Sequence, residues 1–243
     1  MTTIFVSASG TEMGKTFVAR VLIRQLENAG RRVHALKPVV TGFDPADSGR
    51  SDSGVLLGAL GLTLNEENLM RISPWRFEAA LSPDMAATRA ETSIDFDELV
   101  AYCLRACSRE GWESGASGGE QACREERGAD VTLIEGIGGI MVPLNDKHTV
   151  LDWIAALRAP VILVVGSYLG TLSHTLTAVG MLQARGQELA GIVVNESLDR
   201  PVTAEETAGV IARFVYPAPV RVLPHVEDPE RAPDLLPLLA SHL

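Results

Sequence analysis

The sequence has little positive charge, few cysteines and no long apolar run. Of its 243 residues, 21 are Lys or Arg and 31 are Asp or Glu, which gives a formal net charge of −10. Proteins that bind nucleic acid or an anionic membrane need a basic surface, so we expect neither partner. A nucleotide can still bind, because a few backbone N–H groups, one Lys and Mg²⁺ suffice to hold its phosphates.

The same scarcity of apolar runs and cysteines bears on location. No run approaches the roughly 20 apolar residues that span a bilayer, and residues 1–7 show no signal-peptide pattern. The cysteines, Cys103, Cys107 and Cys123, are odd in number and lack the C-x-x-C spacing of a metal site. We interpret Cys103 and Cys107 as small core residues, and we expect a cytoplasmic protein.

Strand-like apolar runs alternate with helical patterns along the chain. Runs typical of strands occur at 3–7, 33–36, 131–134, 161–165, 192–194 and 220–223. Helical patterns occupy 96–108, 150–157, 171–184 and 204–214, and a further one carries apolar residues at Val18, Val21, Leu22 and Leu26. The run 161–165 is apolar throughout, which indicates a strand buried on both faces in a parallel sheet. The class is therefore α/β.

One stretch departs from this alternation. Residues 110–128 are rich in Gly, Ser, Glu and Arg, and such a composition is too polar to pack. We predict a flexible surface insert there within a single domain spanning 1–243. In a parallel sheet the loops at the carboxyl ends of the strands gather at one edge, where a ligand binds.

The strongest functional signal is the segment 8–16, ASGTEMGKT, between the first predicted strand and a helix. Backbone N–H groups of such a loop converge on phosphate oxygens, Lys15 reaches the β and γ phosphates, and the Thr16 hydroxyl can bind Mg²⁺. The common form has Gly five positions before Gly14, where this chain has Ser9. An ordinary helix start is the alternative. We predict a P-loop NTPase-type parallel sheet of about seven strands, flanked by helices on both faces.

Two further signals, Lys37 and Glu135, lie at predicted strand ends, and Asp52 lies in a loop between them. Lys37 follows the run 33–36, either as a second active-site Lys or as a solvated strand-end charge. Asp52 is either a helix N-cap or a Mg²⁺ ligand. Glu135 follows the buried run 131–134 and precedes glycines, so it either binds Mg²⁺ or pairs with a Lys or Arg. Thr16, Asp52 and Glu135 offer the hard oxygen ligands that Mg²⁺ prefers.

Taken in order, these motifs resemble the dethiobiotin synthetases over nearly the whole chain. The segments that carry the resemblance are 11–16 (TEMGKT), 37–42 (KPVVTG), 51–52 (SD), 81–83 (LSP), 135–139 (EGIGG), 160–166 (PVILVVG) and 169–174 (LGTLSH). The resemblance implies that 7,8-diaminononanoate takes up CO₂ as a carbamate, which ATP phosphorylates in the presence of Mg²⁺. The second amine then closes the ureido ring of dethiobiotin, with release of ADP and phosphate.

The resemblance also implies a role for each matched residue. The expected catalytic residues are Lys37, Lys15, Thr11 and Glu12, and the expected metal ligands are Thr16, Asp52 and Glu135. The expected substrate contacts are Thr41, Ser82, Pro83, Gly170, Thr171, Leu172 and Ser173. Nucleotide contacts are expected at Glu12, Met13, Gly14, Lys15, Thr16, Phe17, Glu135, Gly138, Asn195, Leu223 and Pro224, with the adenine lying against the last three.

The family is a homodimer, which implies that the helix beginning near Gly170 offers its N-terminus to the substrate carboxylate in the partner subunit. Many members have Asn where this chain has Ser173, so that contact changes. We interpret the neighbouring His174 as a packed helix residue rather than an acid or base. Ala8, Gly10 and Asp84 also depart from the family pattern, although none of them excludes the function.

Two other functions are also compatible with a phosphate loop. A cobyrinate-type amide synthetase shares the phosphate loop but carries a glutaminase Cys-His pair, and no cysteine here lies at a strand-end elbow. A ParA- or MinD-like ATPase binds partners, membrane or DNA. It has a Lys near the start of the loop, where this chain has Ala8, Ser9 and Gly10.

Overall fold

The computed structural model describes residues 2–108, 129–198 and 202–243. The insert predicted at 110–128 lies outside these ranges. Within them, no helix is both long enough and apolar enough to cross a membrane.

Eight strands among the described residues make up two parallel sheets. They are β1 (Thr2–Ala8), β2 (Val33–Leu36), β3 (Val39–Thr41), β4 (Trp75–Phe77), β5 (Val131–Glu135), β6 (Val161–Val165), β7 (Leu189–Asn195) and β8 (Val220–Leu223). The main sheet has the order β2-β5-β1-β6-β7-β8, and all of its neighbouring pairs are parallel. The predicted α/β class and parallel sheet are confirmed.

In the part of the chain that the structure describes, the main sheet has six strands rather than about seven. The chain leaves β2 through Pro38, which has no N–H to donate to a sheet ladder. The next extended segment, β3, pairs instead with β4 as a separate two-stranded sheet.

Eight α-helices connect and cover the strands in the described ranges. They are α1 (Lys15–Asn28), α2 (Asp52–Ala59), α3 (Glu66–Ile72), α4 (Pro83–Arg89), α5 (Phe96–Ala106), α6 (Val150–Leu157), α7 (Thr171–Ala184) and α8 (Ala204–Val215). Short 3₁₀ helices occupy Pro45–Arg50, Pro229–Arg231 and Leu236–Leu239. The predicted bounds of α6 and α7 are confirmed, whereas α5 ends two residues early because Cys107 forms its C-cap.

The central strands are covered on both faces. Successive side chains of a strand point to opposite faces, and every residue of β5 and of β6 is buried. On β1, Phe5 meets the edge of Trp153 from α6 with ring centroids 4.9 Å apart. Because all six strands run in parallel, their carboxyl ends share one edge, and the residues that follow β1, β2, β5 and β7 meet there.

Candidate functional site

The loop between β1 and α1 has a backbone that few residue types adopt. Gly14 caps α1 in the left-handed region with φ of 84°, and Glu12 also has positive φ, at 58°. A non-glycine residue in this region costs roughly 1 kcal/mol or more and persists where its surroundings enforce it. No described side chain caps the first turn of α1, so its N–H groups face the loop.

Lys15 begins α1 and is almost fully buried. Its Nζ donates to the carbonyl oxygen of Gly138 at 2.9 Å, so the turn after β5 holds the Lys of the phosphate loop. Burial, followed by the nearby charge of Lys37, lowers the pKa of Lys15 to about 8. An ammonium with such a pKa gains most from an anion placed beside it.

Thr16 lies within hydrogen-bonding distance of the other two predicted metal ligands, Asp52 and Glu135. The Thr16 hydroxyl oxygen is 2.7 Å from Asp52 Oδ1 and 2.8 Å from Glu135 Oε1. Ser51, rather than Asp52, is the N-cap of α2, because its hydroxyl accepts the N–H of Gly54. The N-cap alternative for Asp52 is therefore wrong.

Lys37 contacts both carboxylates of this cluster. Its Nζ lies 2.7 Å from Glu135 Oε1 and 3.0 Å from Asp52 Oδ2, and it donates to the Gly136 carbonyl oxygen at 2.8 Å. The side chain is only 2% exposed, so the alternative of a solvated strand-end charge is wrong. The pairing of Glu135 with a Lys, which was the alternative to metal binding, is present alongside the cluster of oxygen ligands.

The ionisation of this cluster follows from burial and mutual attraction. Burial raises the pKa of Glu135, and the Lys37 ammonium opposes that shift. Burial favours neutral Asp52, but Lys37 and the Thr16 hydroxyl outweigh it and lower the pKa of Asp52. For Lys37, burial is more than offset by Glu135 and Asp52, so its pKa is raised.

The residues present fit a magnesium ion. Glu135 Oε2 is buried and makes no hydrogen bond within the described part of the chain, which leaves a carboxylate oxygen available to a cation. The described residues hold no cluster of three or more His, Cys, Asp or Glu that suits a metal. Mg²⁺ at a phosphate site commonly uses one or two carboxylates, and phosphate oxygens and water complete its shell.

The segments expected to bind substrate lie on separate elements. Thr41 ends β3, and the adjoining Gly42 bonds through its N–H to the Ala79 carbonyl oxygen, close to the start of α4. Ser82 is the N-cap residue of α4 and Pro83 its first helical residue. The structure therefore brings Thr41 and the Ser82–Pro83 pair into one neighbourhood.

The start of α7 is open to solvent. Gly170 precedes the helix, Thr171 is buried and donates to the Gly166 carbonyl oxygen at 2.7 Å, and Leu172 and Ser173 are exposed. His174 is exposed too, with Nδ1 at 2.8 Å from the Tyr168 hydroxyl oxygen. The interpretation of His174 as a packed residue is wrong, because its side chain is exposed and its ring lies beside that of Tyr168, with centroids 5.8 Å apart.

A cavity of about 620 Å³ opens between the phosphate loop and α7. Its lining is mostly apolar and consists of Ser9, Gly10, Thr11, Met13, Gly139, Ile140, Met141, Val142, Pro143, Tyr168, His174, Thr177, Ala178 and Met181. Of these, Met141, Val142, Pro143 and Tyr168 carried no motif, and the segment after the glycine turn gave no sequence signal for a binding surface.

The residues expected around the base lie at the ends of β7 and β8. Asn195 and Leu223 are register partners, and the Glu196 N–H donates to the Leu223 carbonyl oxygen at 2.9 Å. Asn195 also bonds to the phosphate loop through its Nδ2, which donates to the Met13 carbonyl oxygen at 3.0 Å. No sequence pattern indicates that contact, because 182 positions separate the two residues.

Known proteins resemble this chain in fold and in sequence. A family model described as an AAA domain matches residues 2–230. A chain of the MinC:MinD cell division complex from Aquifex aeolicus superposes with a TM-score of 0.51 at 10% identity, covering 93% of this chain and 83% of that one. Chloroplast FtsY from Physcomitrella patens gives 0.50 at 16% identity, covering all of this chain and 65% of that one. These two likenesses show the fold alone.

The curated relatives are far more similar. The ATP-dependent dethiobiotin synthetase BioD of Acidiphilium cryptum is 45% identical over 220 residues, covering 90% of this chain and 91% of that protein. The enzyme of the same name from Methylobacterium nodulans is 42% identical over 227 residues, covering 92% of each. The chain therefore belongs to the family of ATP-dependent dethiobiotin synthetases.

Proposed function

We propose that this chain converts 7,8-diaminononanoate, CO₂ and ATP into dethiobiotin, ADP and phosphate, with Mg²⁺ bound beside the phosphate loop. The observation that carries the proposal is the convergence of Lys15, Thr16, Lys37, Asp52 and Glu135 at one edge of the sheet in a member of this family. Two cations and two carboxylates beside a phosphate loop suit a phosphoryl transfer to an anionic acceptor.

The reaction consists of three bond-forming steps. One amine of the diamine adds to CO₂ and loses a proton, which gives the carbamate. A carbamate oxygen attacks the γ-phosphorus of ATP, and the bond from that phosphorus to the bridging oxygen breaks, releasing ADP. The second amine attacks the carbonyl carbon of the resulting anhydride, the bond to the phosphate oxygen breaks, and the amine loses a proton as the ring closes.

The two lysines neutralise the charge of the reacting groups. Lys15, at the start of α1, serves the β and γ phosphates, and Lys37, on the other side of the Thr16 hydroxyl, serves the transferring phosphoryl group and the carbamate. Both are buried, and this strengthens their attraction to an anion. Mg²⁺ held by Thr16, Asp52 and Glu135 would add Lewis-acid polarisation of the phosphates.

The substrate would lie between the phosphate loop and α7. The cavity of about 620 Å³ is mostly apolar and begins at Thr11, so it suits the aliphatic chain of the diamine. Thr11, Glu12 and Thr41 would orient the amines and the carbamate, with Ser82 and Pro83 behind Thr41. Phe17, Asn195, Leu223 and Pro224 would surround the base, with Met13, Gly14 and Gly138 along the phosphates.

We further propose that the enzyme is a cytoplasmic homodimer. Gly170, Thr171, Leu172 and Ser173 would offer the N-terminal turn of α7 to the substrate carboxylate in the partner subunit. Three of these four residues are accessible, as such a contact requires. The net charge of −10 and the free thiols of Cys103 and Cys107 suit the cytoplasm.

The test is the dependence of ATP turnover on the other substrates. Purified protein with Mg²⁺ is incubated with ATP, bicarbonate and diaminononanoate, and phosphate and dethiobiotin are measured together. We expect one phosphate released for each dethiobiotin formed, and only background phosphate when the diamine is left out. Phosphate release that does not respond to the diamine would overturn the proposal.

A further inference from the structure

Asn195, the last residue of β7, contacts the phosphate loop. Its Nδ2 donates to the Met13 carbonyl oxygen at 3.0 Å. The same nitrogen lies over Gly14, where a Cβ would sit only 2.3 Å away. Gly14 has φ of 84°, so both the space and the backbone at this position depend on glycine.

The segment that carries Asn195 is itself fixed to the neighbouring strand. The Ser167 N–H donates to the Ser197 hydroxyl oxygen at 3.0 Å, and the Ser197 N–H donates to the Ser167 hydroxyl oxygen at 3.0 Å. Ser167 is fully buried directly after β6. This reciprocal pair ties the turn after β7 to the turn after β6, so Asn195 presents its amide from a rigid base.

The bond to Met13 determines the orientation of one peptide unit. A peptide is planar and trans, so its carbonyl and the following N–H point in opposite directions. With the Met13 carbonyl oxygen directed at Asn195, the Gly14 N–H is directed away from Asn195 and is left available to a ligand. That orientation is the one that a phosphate oxygen needs.

We propose that Asn195 is a positioning residue of the phosphate loop, which holds the Met13–Gly14 peptide in its phosphate-binding orientation whether or not a base is bound. This inference rests on the proposed function, in which residues 8–16 hold the phosphates. It goes beyond a base contact, because Oδ1 of the same amide, which bonds to no residue of the described ranges, can accept from a base amine. One side chain then links the base pocket to the loop.

A ligand without a base separates the two roles. Inorganic triphosphate with Mg²⁺ and ATP with Mg²⁺ are titrated calorimetrically into the wild type, Asn195→Ala and Asn195→Asp. We expect Asn195→Ala to weaken triphosphate by about three- to tenfold, the equivalent of one hydrogen bond. Asn195→Asp should weaken it further, because a carboxylate oxygen would then face the Met13 carbonyl oxygen. Asn68→Ala is the matched control, since Asn68 Nδ2 donates to the Thr63 carbonyl oxygen at 2.8 Å near α3.

Each outcome decides between the alternatives. Weaker ATP binding with unchanged triphosphate binding would confine Asn195 to the base and overturn the inference. A lower melting temperature with unchanged triphosphate affinity would show a purely structural role and overturn it as well. If the wild type binds ATP but not triphosphate, the phosphate-loop assignment of the proposed function fails, and the inference fails with it.

A second pair of variants tests the contact itself. Gly14→Ala introduces a methyl group that meets Asn195 Nδ2, so its loss of triphosphate affinity should be smaller in the Asn195→Ala background than in the wild type. Losses that simply add would show that the contact with Asn195 does not control the loop.

Discussion

Lys37 combines a charge with nearly complete burial, and its three oxygen partners explain how the chain tolerates it. Glu135, Asp52 and the Gly136 carbonyl oxygen surround the ammonium group at 2.7 to 3.0 Å. Removing one partner of a buried ion pair leaves an uncompensated charge, which destabilises a protein far more than the loss of a surface pair. Lys37 therefore contributes to folding as well as to the proposed chemistry.

The first prediction concerns Lys37→Gln. Because Glu135 would lose its cation, we expect the free energy of unfolding to fall by about 3 kcal/mol and kcat to fall at least about 100-fold. Urea unfolding and steady-state kinetics measure the two effects. The matched control is Lys147→Gln, which removes an exposed lysine and should change neither. An unaltered unfolding midpoint would argue against a stabilising role for the buried pair.

The second prediction concerns proton uptake by Lys15. Its pKa of about 8 in the free protein should rise when phosphates approach, because they favour the charged ammonium. At a pH about half a unit above the pKa of Lys15, ATP binding should therefore be accompanied by proton uptake. The affinity for ATP should fall as the pH rises further. Calorimetry in two buffers of different ionisation enthalpy measures the uptake.

The control for this titration is Lys15→Arg, whose guanidinium stays protonated throughout the range. Proton uptake should disappear in that variant even where binding persists. If uptake is the same in both proteins, another group is responsible for it.

For individual residues, the sequence predicted which side chains belong to the candidate site better than it predicted their contacts. Spacing alone indicated Gly14, Lys15 and Thr16, because loop and helix are contiguous. The partners of Lys37 were beyond reach, since 98 positions separate it from Glu135 and only the order of strands in the sheet makes them neighbours. For Asp52, the preceding Ser51 competes for the same capping role, and sequence alone could not choose between them.

Among the elements, β2 is an edge strand that is nonetheless completely buried. It carries His34, and burial, with the charges of Arg71 and Arg32 adding to it, lowers the pKa of His34 to about 4. In the unfolded chain a histidine takes up its proton near its ordinary pKa of about 6.5. Unfolding therefore takes up a proton between these two values, and stability declines as the pH falls from about 6.5 to about 4.

The third prediction follows from this linkage. Between about pH 7 and about pH 5 we expect His34 to account for a loss of about 2 kcal/mol in the free energy of unfolding. Urea unfolding at both values should show that loss in the wild type and a smaller one in His34→Asn. The exposed His225 provides the control, and His225→Asn should keep the wild-type difference. Equal losses in all three proteins would exclude His34 as the cause.

Helices and strands were predicted most accurately where pattern and burial coincide. The predicted bounds of α6 and α7 match, and all six runs proposed as strands lie in the main sheet. The small sheet of β3 and β4 escaped prediction because each strand has three residues, too few to show a period. His174 was misplaced because a helical pattern does not reveal that Leu172, Ser173 and His174 are all exposed.

An exposed apolar surface of the molecule lies at the start of α7. Leu169 is 85% exposed beside Tyr168, and Met141 is 51% exposed; Tyr168 and Met141 both line the cavity next to the phosphate loop. Exposed apolar clusters next to a binding site commonly mark an interface. If a second copy covers this surface, the proposed carboxylate contact of Gly170 to Ser173 becomes complete.

The fourth prediction is therefore a change in assembly. We expect the wild type to sediment at twice its chain mass of 26.0 kDa, and Leu169→Asp to shift it towards the monomer with a raised KM for the diamine. Leu198→Asp alters a leucine with a nearly equal exposed fraction, 82%, and should leave assembly unchanged. A wild-type monomer at the enzyme concentrations used for turnover would contradict the dimer.

The parallel arrangement of the main sheet also separates the molecule into a reacting end and an opposite, quiet end. β5 enters the sheet at Val131, at the opposite edge from Glu135, and the Arg32–Asp130 ion pair lies beside that entry point. The exposed Arg31 lies near Asp130 as well, so a fluorophore or affinity tag attached through Arg31→Cys would sit at the quiet end. The enzyme can therefore be labelled or immobilised there with its substrate entrance left clear.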